Sequence, residues 1–418
     1  MAELTRYETY KPSGIDWIGE VPIDWKMLRI KNVASIVNGS TPSSSVEEYW
    51  DGDIIWATPG DFNKFDKIID DSESKITEAG YKSCGTSMVP VGSVVITTRA
   101  PIGNVLIAGK ELCTNQGCKS LVPNRIESRF LYYIISISSI ELNILGQGTT
   151  FLELSKESLG TFKLPLPKYD EQLAIANYID DQTQKIDQLI ANKKAQVEKL
   201  KELRQIEINN AVTKGLNPNT EMKDSGIEWL GKIPKHWEVK RLKNILLNIN
   251  SGDGISNDEL VEDGEIEVYG GNGVMGYTDK FNSDGKVIII GRVGAKCGVT
   301  YLVDKKIWIS DNALQSRTYQ NYEFVYYLID AMNLNNYANQ NAQPLITGGI
   351  LKGLYAALPP KNEQVEIADF LQQRTTAIDQ LIKNIEAQIE KLQELRKIRI
   401  YEAVTGKIKV NAYAEKTA

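Results

Sequence analysis

A chain of 418 residues, 42% hydrophobic and 24% charged, holds enough apolar sequence for more than one core. No run approaches the roughly 18 consecutive apolar residues of a membrane helix, and the polar opening MAELTRYETYKPSG lacks the apolar centre of a signal peptide. A net charge of −6 speaks against a free-standing nucleic-acid binder, while Cys84, Cys113, Cys118 and Cys297 suit a reducing cytoplasm better than a disulfide framework.

The first element is SGIDWIGEVPIDWKMLRIKN, Ser13 to Asn32. It recurs 212 residues later as SGIEWLGKIPKHWEVKRLKN, Ser225 to Asn244, with ten of twenty positions identical. After the first copy, GSVVITTRA predicts a strand closed by a turn, and SRFLYYIIS a short helix. A second repeat begins at Glu171 and returns at Glu363, shifted by 192, with 24 of 46 positions identical. It predicts a long helix. Asp170 and Asn362 stand at matching N-cap positions, and prolines (Pro165, Pro167; Pro359, Pro360) close off what precedes. From about Asp180 to Thr213 such a helix spans roughly 50 Å at about 1.5 Å per residue.

In the later copy Ile378, Leu381, Ile382, Ile385, Ile389, Leu392, Leu395 and Ile398 recur at steps of three and four, a coiled-coil-like stripe. Between the repeats of the second half, KVIIIGR and KIWISDN predict strands and YEFVYYLIDAM a helix. The plan is constant–variable–constant, twice, with middles (34–165 and 246–357) that share little sequence. The expected fold is α+β: two mixed α/β globules separated by two long antiparallel coiled-coil-like helices, with internal pseudo-two-fold symmetry. The expected divisions are 1–165, 166–216, 217–357 and 358–410. Symmetry further predicts that the second helix returns to the first globule, bringing AVTGKI to SGIDWIG.

Catalytic chemistry is nearly absent from the sequence. His236 is the only histidine, and its counterpart in the first copy is Asp24, so no histidine triad or cluster forms. Gly271, Gly273 and Gly276 satisfy G-x-G-x-x-G, but the turn-rich YTDKFNSDG follows where a dinucleotide site needs a helix. No catalytic residue and no metal site are expected.

Recognition chemistry is better supplied. Arg99 in TTRAPIGN and Arg292 and Lys296 in GRVGAKCG stand at strand ends beside glycine, suited to phosphate oxygens or a guanine edge. Asn115, Gln116 and Lys119 in CTNQGCK, and Asn312 and Gln315 in SDNALQS, offer amides that match adenine. Asn272 in YGGNG completes the main set, with Thr41, Asn104, Thr149, Thr150 and Thr347 as further candidates for DNA. The competing reading is that these amides merely cap turns.

DSGIEWLGKIPKHWEVKRLKNI, LPLPKYDEQLAIANYI and AIDQLIKNIEAQIEKLQELRK together resemble the conserved blocks of the specificity subunit of type I restriction–modification systems. The resemblance covers essentially the whole chain. It implies a non-catalytic subunit with two target-recognition domains, each reading half of a split sequence in double-stranded DNA. It also implies partners: two methyltransferase subunits and up to two restriction subunits, which carry S-adenosylmethionine, ATP and Mg, with none of these on this chain. Trp17, Trp25, Trp229 and Trp237 are the expected docking anchors. The alternative is a coiled-coil adaptor whose globular ends bind protein.

Overall fold

The computed structural model describes residues 5–146, 152–294, 297–339 and 344–410. Two compact units divide the chain: Met1–Asn192 with Gln388–Ala418, and Lys193–Ala387. This division differs from the four consecutive segments read from the sequence, because each long helix is cut near its middle and shared.

In unit 1 the expected strand is Val94–Thr97, and it lies inside a five-stranded sheet. The order is Ala34–Asn38, Cys118–Pro123, Val94–Thr97, Val105–Ala108 and Ile68–Ile69, antiparallel except for the last pair. A smaller sheet sets Trp50–Ala57 between Cys113–Thr114 and Lys75–Ile76. The constant blocks add a hairpin, Tyr10–Pro12 with Glu20–Pro22, and a ladder, Lys26–Arg29 with Lys163–Leu166. Pro165 sits within that ladder, where a two-stranded edge tolerates the missing N–H.

Unit 2 repeats this plan. Its larger sheet runs Leu246–Ser251, Ala313–Thr318, Lys286–Gly291, Thr300–Asp304, and its smaller one sets Ile266–Gly270 between Gly273–Thr278 and Trp308–Ile309. A hairpin (Met222–Asp224 with Lys232–Pro234) and a ladder (Glu238–Arg241 with Tyr355–Leu358) correspond to those of unit 1. Middles that look unrelated in sequence therefore share one topology, apart from the fifth strand of unit 1, Ile68–Ile69, which has no counterpart among the described residues of unit 2. Gly103 and Gly298 mark the same tight turn in both, at φ of 96° and 91°, where a side chain would be strained.

The expected short helices form at Ser128–Ser136 and Tyr322–Ala331. Each buries Phe–x–Tyr–Tyr against the long helices: Phe130 and Tyr133 in unit 1, Phe324 and Tyr327 in unit 2. The long helices are Tyr169–Lys214 and Lys361–Val404, longer than expected at 46 and 44 residues. Asp170 and Asn362 are not N-caps. They lie in the first turn, since Gln172 N–H already donates to Lys168 O (3.0 Å) and Gln364 N–H to Pro360 O (3.0 Å).

The core of unit 1 takes Ile175 and Ile179 from the start of the first long helix and Ile400, Ala403 and Val404 from the end of the second. Unit 2 takes Ile208, Ala211 and Val212 from the first and Ile367 and Leu371 from the second. The return of AVTGKI to SGIDWIG is present within unit 1. Tyr401 Oη donates to Trp17 O (2.9 Å), Lys407 Nζ to Ile18 O (2.9 Å), and Thr5 bridges Lys409. In unit 2 Arg204 meets Asp379 and Arg374 meets Glu207, so the partner number falls as the helix number rises, as in an antiparallel pair. The repeat of that first ion pair, Asp187 with Arg396, occurs in unit 1.

Candidate nucleic-acid interface

Strand ends gather the recognition residues of unit 1. Thr98 N–H donates to Gly117 O (2.8 Å), which ties the end of Val94–Thr97 to the turn before Cys118–Pro123. Ser40 N–H donates to Thr114 O (2.9 Å), bringing the end of Ala34–Asn38 to the same turn. Thr41, Arg99 and Gln116 thus share one exposed edge, and the Thr41 hydroxyl bonds the Gln116 carbonyl. Asn115 Oδ1 receives Gly117 N–H (2.9 Å), so this amide does cap a turn. Asn104 is exposed on the loop that returns from Arg99, its backbone joined to Thr97.

Arg99 forms an ion pair with Glu153 (3.1 Å). Lys119 is 6% exposed, and its ammonium stands 3.9 Å from the other oxygen of Glu153. Burial pushes the Lys119 ammonium below the usual lysine range, partly offset by Glu153. Thr149 and Thr150 lie outside the described residues.

Unit 2 builds its edge from equivalent strands. Asn272 is exposed at the turn of a hairpin, Ile266–Gly270 with Gly273–Thr278, so the glycine motif there is no strand-to-helix phosphate loop. That turn packs on the end of Lys286–Gly291: a Cβ on Gly291 would collide with Gly271 O. Arg292 N–H donates to Asn312 O (3.0 Å), placing Asn272, Arg292 and exposed Asn312 together. Gln315 is half-buried inside its strand, opposite Ile289 and Asn250, rather than at a loop tip. Thr347 caps the helix Gly348–Gly353, accepting Ile350 N–H (3.3 Å). Lys296 lies outside the described residues.

The hydrogen bonds correct one reading. Thr98 donates to Gly117 O and accepts from Leu154; Arg292 donates to Asn312 O and accepts from Ile346. Arg292 is therefore the counterpart of Thr98, and Arg99 that of Val293. One residue of offset turns a side chain to the opposite face of extended backbone. Arg99 accordingly points to the exposed edge, whereas Arg292 is partly buried and lines a recess with Asn250, Ser251, Leu314 and Thr347.

The tryptophans need a second correction. Trp25 and Trp237 are 1% and 0% exposed, their indole N–H groups held by Glu171 (3.2 Å) and Glu363 (2.9 Å). Core residues satisfied in this way present no docking surface. Trp17 and Trp229 are half-buried, with Trp17 against Phe162 and Trp229 donating to Tyr355 O (3.1 Å). The helical stripe divides likewise. Ile378 is buried, but Leu381, Leu395 and Ile398 are exposed. So are their repeat counterparts Leu189, Leu203 and Ile206, so each unit carries one equivalent exposed apolar triple. Sequence reading missed Asn250, Ser251 and Glu153. The Ser–Gly pair that ends their strand (NSGDG) was the available signal for the first two.

Among the described residues no group of three or more His, Cys, Asp or Glu is arranged to hold a metal. No helix among them is long and apolar enough to cross a membrane. The model of the type I restriction modification DNA specificity domain matches residues 22–199 and 234–391, one segment for each repeat. The chain belongs to this family. It is 37% identical over 251 residues to the type I restriction enzyme MjaIX specificity subunit of Methanocaldococcus jannaschii, covering 58% of this chain and 56% of that one. It is 26% identical to the EcoprrI specificity subunit of Escherichia coli over 84% of this chain and 87% of that one.

A chain solved in work on complex assembly and conformational transition of the type I R-M system shares the fold at TM-score 0.69. It is 16% identical, with 92% of this chain and 98% of that one covered. The family membership makes the chain a specificity subunit with DNA recognition domains, a non-catalytic component that assembles with other restriction–modification subunits.

Proposed function

We propose that this specificity subunit reads a bipartite DNA target, one half-site per unit, in the cytoplasm. Two methyltransferase subunits and up to two restriction subunits dock on it. The observation that carries the reading is a shared topology with unlike exposed edges: Thr41, Arg99 and Gln116 in unit 1, Asn272 and Asn312 in unit 2. A duplex read by one scaffold with two different polar sets meets two different base patterns. Equal docking sites are supported by the repeated exposed triples, Leu189, Leu395 and Ile398 in unit 1 and Leu381, Leu203 and Ile206 in unit 2. Apolar side chains repeated so faithfully on a polar helix suit two copies of one partner. S-adenosylmethionine, ATP and Mg belong on those partners.

The test exchanges residues 34–165 for the corresponding segment of another family member and sequences the methylome. One half of the methylated motif should change while the other half stays. A change in both halves would defeat the modular reading.

A further inference from the structure

The register that separates Arg99 from Arg292 also brings a buried cation, Lys119, and a partly buried one, Arg292, to one place in the fold. Lys119 pairs with Asn38 and Ile96 in the sheet of unit 1; Leu314 pairs with Ser251 and Ile290 in unit 2. Leu314 is thus the counterpart of Lys119, and it lines the recess that Arg292 enters from the next strand. Among the described residues each unit supplies a single cation at this register position, from a different strand. Such a replacement keeps a charge while changing the residue that carries it.

The two positions differ in what faces the cation. In unit 1, Glu153 stands 3.9 Å from Lys119 and also holds Arg99. Its counterpart in unit 2 is Leu345, since Arg99 bridges Glu153 and Val293 bridges Leu345. Among the described residues no carboxylate faces Arg292. Its NH1 reaches only Asp311 O (3.3 Å), and its Nε is buried without an acceptor. An unpaired buried guanidinium donor is costly, yet here it lines a recess of about 290 Å³ with the polar side chains of Asn250, Ser251 and Thr347.

We propose that this recess is an anion pocket, one per unit, that receives a phosphate of the DNA backbone. It stands open at Arg292 in unit 2 and is filled by the Glu153 carboxylate in unit 1. Reading a guanine edge requires a side chain that projects into a groove about 8.5 Å deep. A recessed cation reaches only a group that projects towards it, and phosphate oxygens do so. Glu153 acts as an internal stand-in, released when a phosphate takes its place. The proposal rests on the DNA-binding reading above.

The experiment measures affinity of the full chain, assembled with its methyltransferase subunits, for target and random duplexes across a range of salt. Arg292→Gln should weaken both duplexes alike, make the slope of log K against log salt shallower by about 0.9, and leave the methylated motif unchanged. Arg292→Lys should keep the slope. Leu345→Glu, which places the carboxylate of unit 1 in unit 2, should act like Arg292→Gln. Glu153→Gln should do the reverse, tightening both duplexes and steepening the slope, an outcome misfolding does not imitate.

An unchanged slope in folded Arg292→Gln together with unchanged binding in Glu153→Gln would overturn the pocket. A change confined to one half of the methylated motif would make Arg292 a base reader and overturn the phosphate assignment. If inorganic phosphate alone raised the melting temperature of the wild type but not of Arg292→Gln, while DNA slopes matched, the anion would be free phosphate and the DNA assignment would fall. A wild type that fails to prefer any duplex sequence would remove the DNA reading itself, and the pocket with it.

Discussion

Glu171 and Glu363 open the two long helices at repeat-equivalent positions, and each accepts the N–H of a buried tryptophan, Trp25 or Trp237. Their second partners differ. Tyr7 donates to Glu171 (2.6 Å) in unit 1, whereas His236 meets Glu363 (2.6 Å) in unit 2. The next residue in each repeat, Gln172 or Gln364, is buried to 1% exposure and donates to Pro167 O or Pro359 O (3.0 and 2.9 Å). The same Gln accepts a backbone N–H at the start of the short helix, from Glu127 or Asn321 (2.7 and 3.0 Å). Positions that repeat in sequence join the constant blocks to the recognition fold. Positions one contact further out were free to change. The sequence repeat therefore marks a shared structural frame, and the edges proposed to meet DNA hang from it.

The comparison breaks first at the tryptophans. If the frames are equivalent, Trp25→Ala and Trp237→Ala should each cost about 3–5 kcal/mol, the usual range for a buried large aromatic side chain. Each should unfold mainly its own unit. Hydrogen exchange resolved by peptide checks both points: protection should collapse around 10–38 for the first and around 222–251 for the second. Unequal costs differing by more than the spread of that range would mean that Tyr7 and His236 set the frame more than the tryptophan does.

A second test uses pH, because the carboxylate Asp180 at the helix junction of unit 1 has no carboxylate at the repeat-equivalent position of unit 2. Asp180 receives Arg129 (2.8 Å), Lys67 and Tyr133, while its repeat counterpart is Gln372 and Tyr327 instead meets Thr375 (3.0 Å). Burial pushes the Asp180 carboxyl up, but Lys67 and Tyr133 outweigh it and hold the group below the usual range. A depressed carboxylate contributes stability that is present above its unfolded value, about 3.9, and lost as pH falls through the folded one. Asp180→Asn should therefore cost about 1.5–3 kcal/mol at neutral pH, and the gap to the wild type should begin to narrow near pH 4 and close only as pH falls through the depressed folded value. Unit 2 should show no matching acid loss at Gln372.

Topology class was legible because strands, helices and repeats have periods. VVIT and VIII are continuous β-branched runs, and FLYY and FVYY sit at helical spacing. The sites were legible only as neighbourhoods. TTRA and GRVG look alike in sequence, yet hydrogen bonding sets their arginines one residue apart, and a one-residue slip reverses the side chain. Lys119 read as a loop cation because a polar turn precedes it, but it lies within the strand Cys118–Pro123 and is buried. Tryptophan is large and amphipathic, so composition does not separate a core Trp25 from a half-buried Trp17. The missing information in each case is long-range register, which no local window contains.

The finest test concerns the ion pair that repeats. Arg204 meets Asp379 (3.1 Å) and Arg396 meets Asp187 (3.0 Å), the same pair under the shift of 192. Only Arg204 has a second carboxylate in reach, Asp330 at 3.7 Å, whose counterpart on the short helix of unit 1 is Ser136. Burial pushes the Asp330 carboxyl above its ordinary value, with Arg204 partly offsetting it. Removing Arg204 leaves that carboxyl partly buried without a cation, which should cost about 1–3 kcal/mol. The loss should grow as pH rises from 4 to 7, because a raised carboxyl destabilises the folded state once it ionises. Arg396→Ala, with no such dependant and itself more exposed than Arg204, should cost about 0–1 kcal/mol with no comparable pH trend. Denaturant midpoints of the two variants at pH 5 and pH 7 decide it. Equal losses would show that the repeated pair alone sets the effect, and that Asp330 adds nothing to the difference between the units.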